Sequence, residues 1–478
     1  MRYRLLILLT LLALQVANAQ NKPNSNLFIA SPYLQIGREP SATSLSLLWH
    51  TADVDANWSV EYSATAKGDW KKTEAPTFKH IAVAGIAPHR VYGAVFTGLT
   101  SGSTFFYRVL LNNKVAFSAE GHTPRSATQP FRFVTFGDIG AETPDQKLLA
   151  VQAYQSKPDL VIVPGDIVYE NGLISEYRSK FWPIYNADKV DTAGAPLMRS
   201  VPFVTAVGNH DVDNRNIDQH PDGLAYFMYW DQPLNGPLGA EGGPLFPALQ
   251  ANEVNKKAFL EAAGSAYPTM TNYSFNYGNA HWLIIDSNPY VDFTDKGLTD
   301  WVTKDLASAK DATWRFVIFH HPGFSSSIEH AEQQHMRLLS PIFEANKVDV
   351  VFSGHVHNYQ RSFPLTFAPA KKGTLLVGGK NNSLVRGRVV PGLWALDKTY
   401  NGKTITKPNG IIYIVTGAGG QELYNVEQND NPDSWQKFTD KFISNVHSLT
   451  VTDVDGSKLS IRQVAADGKE IDAFVITK

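Results

Sequence analysis

VDVVFSGHVHNYQRS, residues 348–362, sets the reading of this chain. Its first half is a short apolar run rich in β-branched residues, the composition of a buried strand. Gly354 then permits a tight turn, and His355 and His357 follow as alternate residues that can both be turned toward one cation. The same grammar recurs four times upstream. FRFVTF (131–136) leads into Gly137-Asp138, DLVIVP (159–164) into Gly165-Asp166, VPFVTAV (201–207) into Gly208-Asn209-His210, and WRFVIF (314–319) into His320-His321. Each run ends on a potential metal ligand. In an open α/β sheet, ligands gather in the crevice at the carboxyl ends of the strands, so these five ends are expected to converge.

The donors at the ends are Asp138, Asp166, Tyr169, Asn209, His320, His355 and His357, with His210, Asp211 and His321 adjacent. Two carboxylates on an otherwise apolar sheet cannot both ionise cheaply. No lysine or arginine stands among the residues that directly follow these runs (GDIG, GDIVY, GNHD, His320-His321 and GHVH) to offset them, so a metal ion is the natural compensator. Oxygen-plus-imidazole ligation suits iron, manganese, zinc or magnesium-like ions rather than copper(I). Seven donors are too many for one four-coordinate zinc. They fit two ions that share a carboxylate, an arrangement suited to displacement at phosphorus.

Composition narrows the alternatives. The 478 residues carry 43 Lys plus Arg against 45 Asp plus Glu, which argues against a nucleic-acid polymer or an anionic membrane as the main partner. Hydrophobic residues at 43% support a sizeable core. The chain has no cysteine, which removes disulfides, thiol nucleophiles, iron–sulfur clusters and thiolate zinc sites together.

Outward from the five motifs, the chain divides near residue 125. Between Phe28 and Thr123, short alternating runs such as SLSLLWH, WSVEYS and TFFYRVLL read as an antiparallel β-sandwich of immunoglobulin or fibronectin type III character, with Trp49 and Tyr107 in its core. TPRSATQP reads as a linker, giving a boundary at residues 124–130 and a large second domain over 131–478. TPDQKLLAVQAYQSK within it has a helical pattern, and the runs GIIYIVTGAGG, HSLTVTDVDGSKLSIRQV and IDAFVITK read as closing strands of the same sheet. At the amino terminus, MRYRLLILLTLLALQVANA has the three-part pattern of a signal peptide (1–19) with cleavage expected after Ala19. The apolar run is short for a membrane span. The expected product is secreted or periplasmic, with no membrane span in the mature chain.

In order, GDIG (137–140), GDIVY (165–169), GNHD (208–211), VIFH (317–320) and GHVH (354–357) resemble the five blocks of the purple acid phosphatase branch of the calcineurin-like metallophosphoesterase superfamily. The preceding sandwich is similar to that of the plant-type, two-domain members. Tyr169 selects the branch, because the serine/threonine phosphatases of the superfamily have no tyrosine ligand there. The resemblance implies a fold of β plus α/β class, a fibronectin type III-like sandwich followed by a four-layer αββα domain. It implies Fe(III) held by Asp138, Asp166, Tyr169 and His357, and a divalent ion (Fe, Zn or Mn) held by Asp166, Asn209, His320 and His355, with Asp166 bridging. A phenolate suits Fe(III), and a neutral amide with two imidazoles suits a divalent ion.

The implied activity is that of an acid phosphatase, in which a metal-bound hydroxide attacks the phosphorus of a small phosphate monoester. His210 and His330 are the implied catalytic and substrate-binding groups, with Asp211 either orienting His210 or standing as a plain helix-capping or surface carboxylate. The stretch GFSSSIEHAEQQH (323–335) departs from the family pattern, with Glu329 where plant members often have a histidine. His335 is expected on a solvated helix and His321 behind the ligands. His281 and His447 are expected in the core, and Arg361 is expected to pair with a carboxylate beneath the sheet. Tyr226, Phe227, Tyr229 and Trp230, in a long segment after GNHD, are expected to pack on the sheet or to stack on an aromatic leaving group. Two other functions fit the same residues: a phosphodiesterase or nucleotide pyrophosphatase on the same core, or a cell-surface binding module whose sandwich does the work.

Overall fold

The computed structural model describes residues 27–370 and 389–478. The predicted signal peptide and part of the segment after Arg361 lie outside them. Mixed sheets dominate and helices are few.

The N-terminal strands form two four-stranded antiparallel sheets. One runs in the order Ala30–Gln35, Leu45–Ala52, His89–Phe96, Thr77–Ile81, and the other Lys71–Lys72, Trp58–Ser63, Thr104–Leu111, Lys114–His122. Their alternating side chains meet in one cluster around Leu47, Trp49, Val60, Phe96, Tyr107 and Val109. Trp49 and Tyr107 are fully buried there.

Beyond residue 130, two larger mixed sheets carry the five motifs. The first has the order Phe203–Ala206, Leu160–Pro164, Phe131–Thr135, Ser448–Asp455, Lys458–Ala465, Glu470–Thr477. Its first three strands are parallel. The second has the order Tyr273–Tyr277, Ala280–Ile284, Trp314–Ile318, Val350–Ser353, Ile412–Thr416, Tyr359–Ser362, Thr439–Ile443. Its central strands from Ala280–Ile284 to Ile412–Thr416 are parallel. Strands buried on both faces read as continuous apolar runs, which explains FRFVTF and WRFVIF. Phe133, Ile162 and Val204 of the first sheet pack with Trp282, Phe316 and Phe352 of the second. The alternate residues, among them Val134, Val161, Val317 and Val351, join a separate cluster with Leu149, Leu298, Val302 and Phe343 of the helices.

This differs from the single sheet expected of the closing strands. Ile412–Thr416 joins the second sheet, whereas the strands from Ser448 onward join the first, pairing through Ser448–Asp455 with Phe131–Thr135. Asp455-Gly456 does form the hairpin turn, with Gly456 at φ +54°. The helical pattern after residue 142 becomes the helix Pro144–Gln155, opened by Thr143, whose side chain accepts from the amide of Gln146 at 3.2 Å. Proline in the first turn suits such a start.

The long segment after GNHD packs between the sheets and the N-terminal strands. Tyr226, Phe227, Tyr229 and Trp230 are all buried, so none offers a face to a substrate. Tyr229 instead meets the N-terminal half: its hydroxyl lies 2.9 Å from His89 Nε2, and its carbonyl accepts from the Tyr33 hydroxyl at 2.8 Å.

Candidate metal centre

Three parallel strands of the first sheet and two of the second deliver their carboxyl ends to one place. Asp138, Asp166 and His355 sit just past those ends with φ of +62°, +50° and +67°. Side chains other than glycine rarely adopt this left-handed conformation, although Asp, Asn and His tolerate it best. Its clustering here marks backbone strain held at a functional site. The glycines beside them are needed for close approach. A Cβ on Gly208 would lie 2.0 Å from Asp166 Oδ1, and one on Gly165, at φ +87°, would lie 2.5 Å from His320 Nδ1.

The structure gathers the seven predicted donors into two adjoining groups. In the first, the Tyr169 hydroxyl donates to Asp138 Oδ1 at 3.0 Å and lies 3.3 Å from His357 Nε2, which is 3.4 Å from Asp138 Oδ1. In the second, His320 Nε2 lies 3.2 Å from both Asp166 Oδ2 and Asn209 Oδ1. One ligand atom each from Asp166, His320 and His355 lies within 4.8 Å of the others, a grouping able to hold a metal ion. Backbone carbonyls orient two of the imidazoles: His320 Nδ1 donates to Pro164 O at 2.8 Å and His357 Nδ1 to Glu422 O at 2.7 Å. Each Nε2 is thereby turned to the centre.

The charges in the centre fit cations. Asp138 and Asp166 are 0% and 1% exposed, and among the described residues only histidines lie in ion-pair range of either. Burial opposes ionisation of Asp166, but His320 and His210 outweigh it and hold the carboxyl well below its usual range. Burial likewise opposes a charge on His320, yet Asp166 raises it to about 9. In the metal-free molecule a proton on His320 thus does the work of a cation. Burial, with Asp138 and Asp166 beside it, pushes the Tyr169 phenol well above its ordinary value. Such a phenol yields its proton only to a strong Lewis acid.

The residues around the centre separate further. His210 is half-buried, its ring tilted against Tyr169 with centroids 4.4 Å apart, and its Nδ1 donates to the Glu170 carbonyl at 2.8 Å. Asp211 does not orient it. Its carboxylate accepts instead from the amides of Ile167 at 3.0 Å and Gly208 at 2.8 Å, tying the Asp166 loop to the Asn209 loop. Burial and the nearby Asp166 push Asp211 up to about 7. His330 lies with its ring tilted against that of His355, centroids 4.2 Å apart, and is half-buried, with φ +59°.

His335 is not on a solvated helix. It is 1% exposed, stacked on Phe293 at 5.2 Å, and its Nε2 donates to Ser287 O at 2.8 Å. His321 sits behind the centre, its ring 4.2 Å from His355 and its Nδ1 3.1 Å from Ser287 Oγ. His281 is buried against Asp305, and Arg361 pairs with Asp472 at 2.8 Å as well as with Asp440. His447, expected in the core, is partly buried and bonds Gln421 O at 2.9 Å. Three neighbours of the centre had no signal in the sequence. Tyr424 stacks on His357 at 4.0 Å, Glu422 contributes only a carbonyl, and Gln333 contacts two histidines.

Residues 131–359 match the family model of the calcineurin-like phosphoesterases, and this part of the chain is a calcineurin-like phosphoesterase domain. Its relatives include purple acid phosphatases. The chain is 30% identical over 243 residues to purple acid phosphatase 1 of Ipomoea batatas, covering 49% of this chain and 43% of that protein. It is 27% identical over 319 residues to purple acid phosphatase 22 of Arabidopsis thaliana, covering 65% and 62%. The matches thus span about two-fifths to three-fifths of those relatives' own lengths. The fold is like that of purple acid phosphatase PPD1 from yellow lupin seeds, with a TM-score of 0.63 at 18% identity over 94% of this chain and 74% of that one. No helix among the described residues is long and apolar enough to cross a membrane.

Proposed function

We propose that the chain is an exported acid phosphatase of the purple acid phosphatase branch, acting on small phosphate monoesters at a two-metal centre. The observation that carries this reading is Tyr169, placed against Asp138 and His357 beside a second group formed by Asp166, Asn209, His320 and His355. Asp138, Asp166, Tyr169 and His357 would hold Fe(III). Asp166, Asn209, His320 and His355 would hold the divalent ion, iron, zinc or manganese. Two such cations, when bound, would supply charge neutralisation for the phosphate and lower the pKa of a coordinated water.

The protein's own groups do the rest. His210, fixed through Nδ1 by the Glu170 carbonyl, presents Nε2 to a phosphoryl oxygen. His330, on the other side of the centre beside His355, hands a proton to the departing alkoxide. Buried walls formed by Tyr169, His320 and His357 keep water from competing for the carboxylates.

In the same reading, the two N-terminal sheets form a fibronectin type III-like domain over 28–123, a linker follows at 124–130, and a four-layer αββα catalytic domain spans 131–478. Residues 1–19 direct export to the periplasm or beyond. The purple acid phosphatases among the relatives support the monoester assignment. The test is a panel of mono- and diesters sharing one aryl group, assayed across pH with the metal-loaded protein. The reading expects the monoester to be cleaved much faster in acid; faster cleavage of the diester would make the protein a phosphodiesterase.

A further inference from the structure

Apolar side chains scattered singly over a surface are ordinary, so their position decides whether they mean anything. Two branched ones stand at the rim of the centre. Ile328 is 64% exposed and Val426 50% exposed, and each is two residues from a ring already placed there, His330 and Tyr424. Ile328 and His330 share one turn, closed by the Ala331 amide donating to the Ile328 carbonyl at 3.3 Å. Tyr424, partly exposed, stacks on His357 at 4.0 Å and meets the His330 ring edge-on at 5.7 Å.

The turn and the segment after Tyr424 are laced together. Asn425 Oδ1 accepts from the Glu329 amide at 3.0 Å and from the Ser327 hydroxyl. Gln428 Oε1 accepts from the Ile328 amide at 3.1 Å, and Gln428 Nε2 donates to Ser326 O at 3.0 Å. These bonds fix the backbone beneath both aliphatic side chains, so an apolar surface is held in place before anything binds and costs little to order.

We propose that Ile328, Tyr424 and Val426 form an apolar shelf that receives the leaving group, which makes monoesters of uncharged, apolar alcohols the preferred substrates. The inference rests on the proposed phosphatase reading, in which His330 protonates the departing alkoxide. The carbon chain on that oxygen then lies beside the turn that carries Ile328. Glu329 and Glu422 also stand near Tyr424, but both are exposed to solvent, where a carboxylate attracts a cation only weakly. Apolar contact is left to decide the preference.

The n-alkyl phosphates from ethyl to hexyl have leaving groups of nearly equal pKa, so chain length varies the contact while the chemistry stays fixed. Metal-loaded wild type should gain about 10-fold in kcat/KM from ethyl to hexyl, at about twofold for each methylene that an open shelf half covers. Ile328→Ser combined with Val426→Ser should cut that gain to about twofold. Inhibition by inorganic phosphate, which has no leaving group, should not change. A wild type that cleaves aryl phosphates but handles hexyl phosphate no better than ethyl phosphate overturns the inference alone. So does a double variant that keeps the gain, or one in which phosphate inhibits more weakly. If the shelf instead seats a second copy of the chain, the double variant keeps the gain and has a smaller mass in solution. Preference of the wild type for ω-aminohexyl over hexyl phosphate assigns the rim to its carboxylates and also overturns the inference. A metal-loaded wild type that cleaves no phosphate ester, aryl phosphates included, overturns the functional reading and the inference with it.

Discussion

His320 at the centre and His50 and His89 beneath the N-terminal sheets are all fully buried, yet they carry opposite charges in their surroundings. His320 faces Asp166 and is raised to about 9. His50 lies among Tyr33, Trp182 and Tyr229, with ring centroids 5.6, 5.6 and 4.4 Å away, and burial holds it well below its ordinary value, helped by His89 and Arg178. Burial also lowers His89 to about 4, with Arg178 acting the same way. A buried histidine is therefore no sign of a ligand by itself. What distinguishes the centre is the pairing of imidazole with buried carboxylate, where a proton stands in for a cation. The other region joins two parts of the chain with neutral rings and hydroxyls.

The largest break in this comparison comes from removing the carboxylate. Asp166→Asn should lower kcat/KM by about 10³-fold or more, the upper scale for losing a principal electrostatic stabiliser, and should strip both metals. Metal analysis beside a steady-state assay checks it, and an active, metal-replete variant contradicts it. Next is His330→Asn. Its kcat should fall about 10²-fold for alkyl phosphates and barely at all for a nitrophenyl ester, because only the poor leaving group needs a proton in the transition state. Equal losses on both esters exclude His330 as the acid.

The two regions should also answer pH in opposite directions. His320 has a folded value above its unfolded one, so its contribution is complete below about pH 6.5 and is lost as pH rises through about 9. His89 has a folded value below its unfolded one. The unfolded chain takes up protons first, so stability holds above about pH 6.5 and is lost as pH falls toward 4. Urea unfolding of the metal-free protein should show both limbs, each on the order of 3 kcal/mol. Metal should remove the alkaline limb, and His89→Gln should make the acid one shallower, with His50 and His335, also lowered by burial, accounting for what remains. An alkaline limb that survives metal loading separates His320 from the metal. The smallest effect belongs to Glu170→Gln. Its carboxylate, 64% exposed, lies 3.7 Å from His210 Nδ1, but the backbone carbonyl makes the 2.8 Å bond. Activity should change less than about threefold, as for an exposed ion pair.

The gathering of the proposed ligands was legible because each follows its strand directly, so local pattern and spatial convergence coincide. Asp138, Asp166, Asn209, His320 and His355 are fixed by the ends of five apolar runs. The N-terminal sheets were legible for the same reason, since alternation is a local signal. The division of the closing strands between two sheets was not, because it depends on Ser448–Asp455 pairing with Phe131–Thr135 across most of the chain. His335 was misplaced because Phe293, which covers it, comes from a distant segment. Gln333 and Glu422 left no trace because their contribution is an amide and a carbonyl, groups that sequence pattern does not distinguish.

Tyr169 bears most directly on the proposed centre. The measurement is metal content with the visible spectrum of the purified, active protein, taken beside Tyr169→Phe. Two metals per chain, one of them iron, with a visible charge-transfer band that the substitution abolishes, is the predicted result. An active protein replete with metal but lacking iron and any visible band contradicts it.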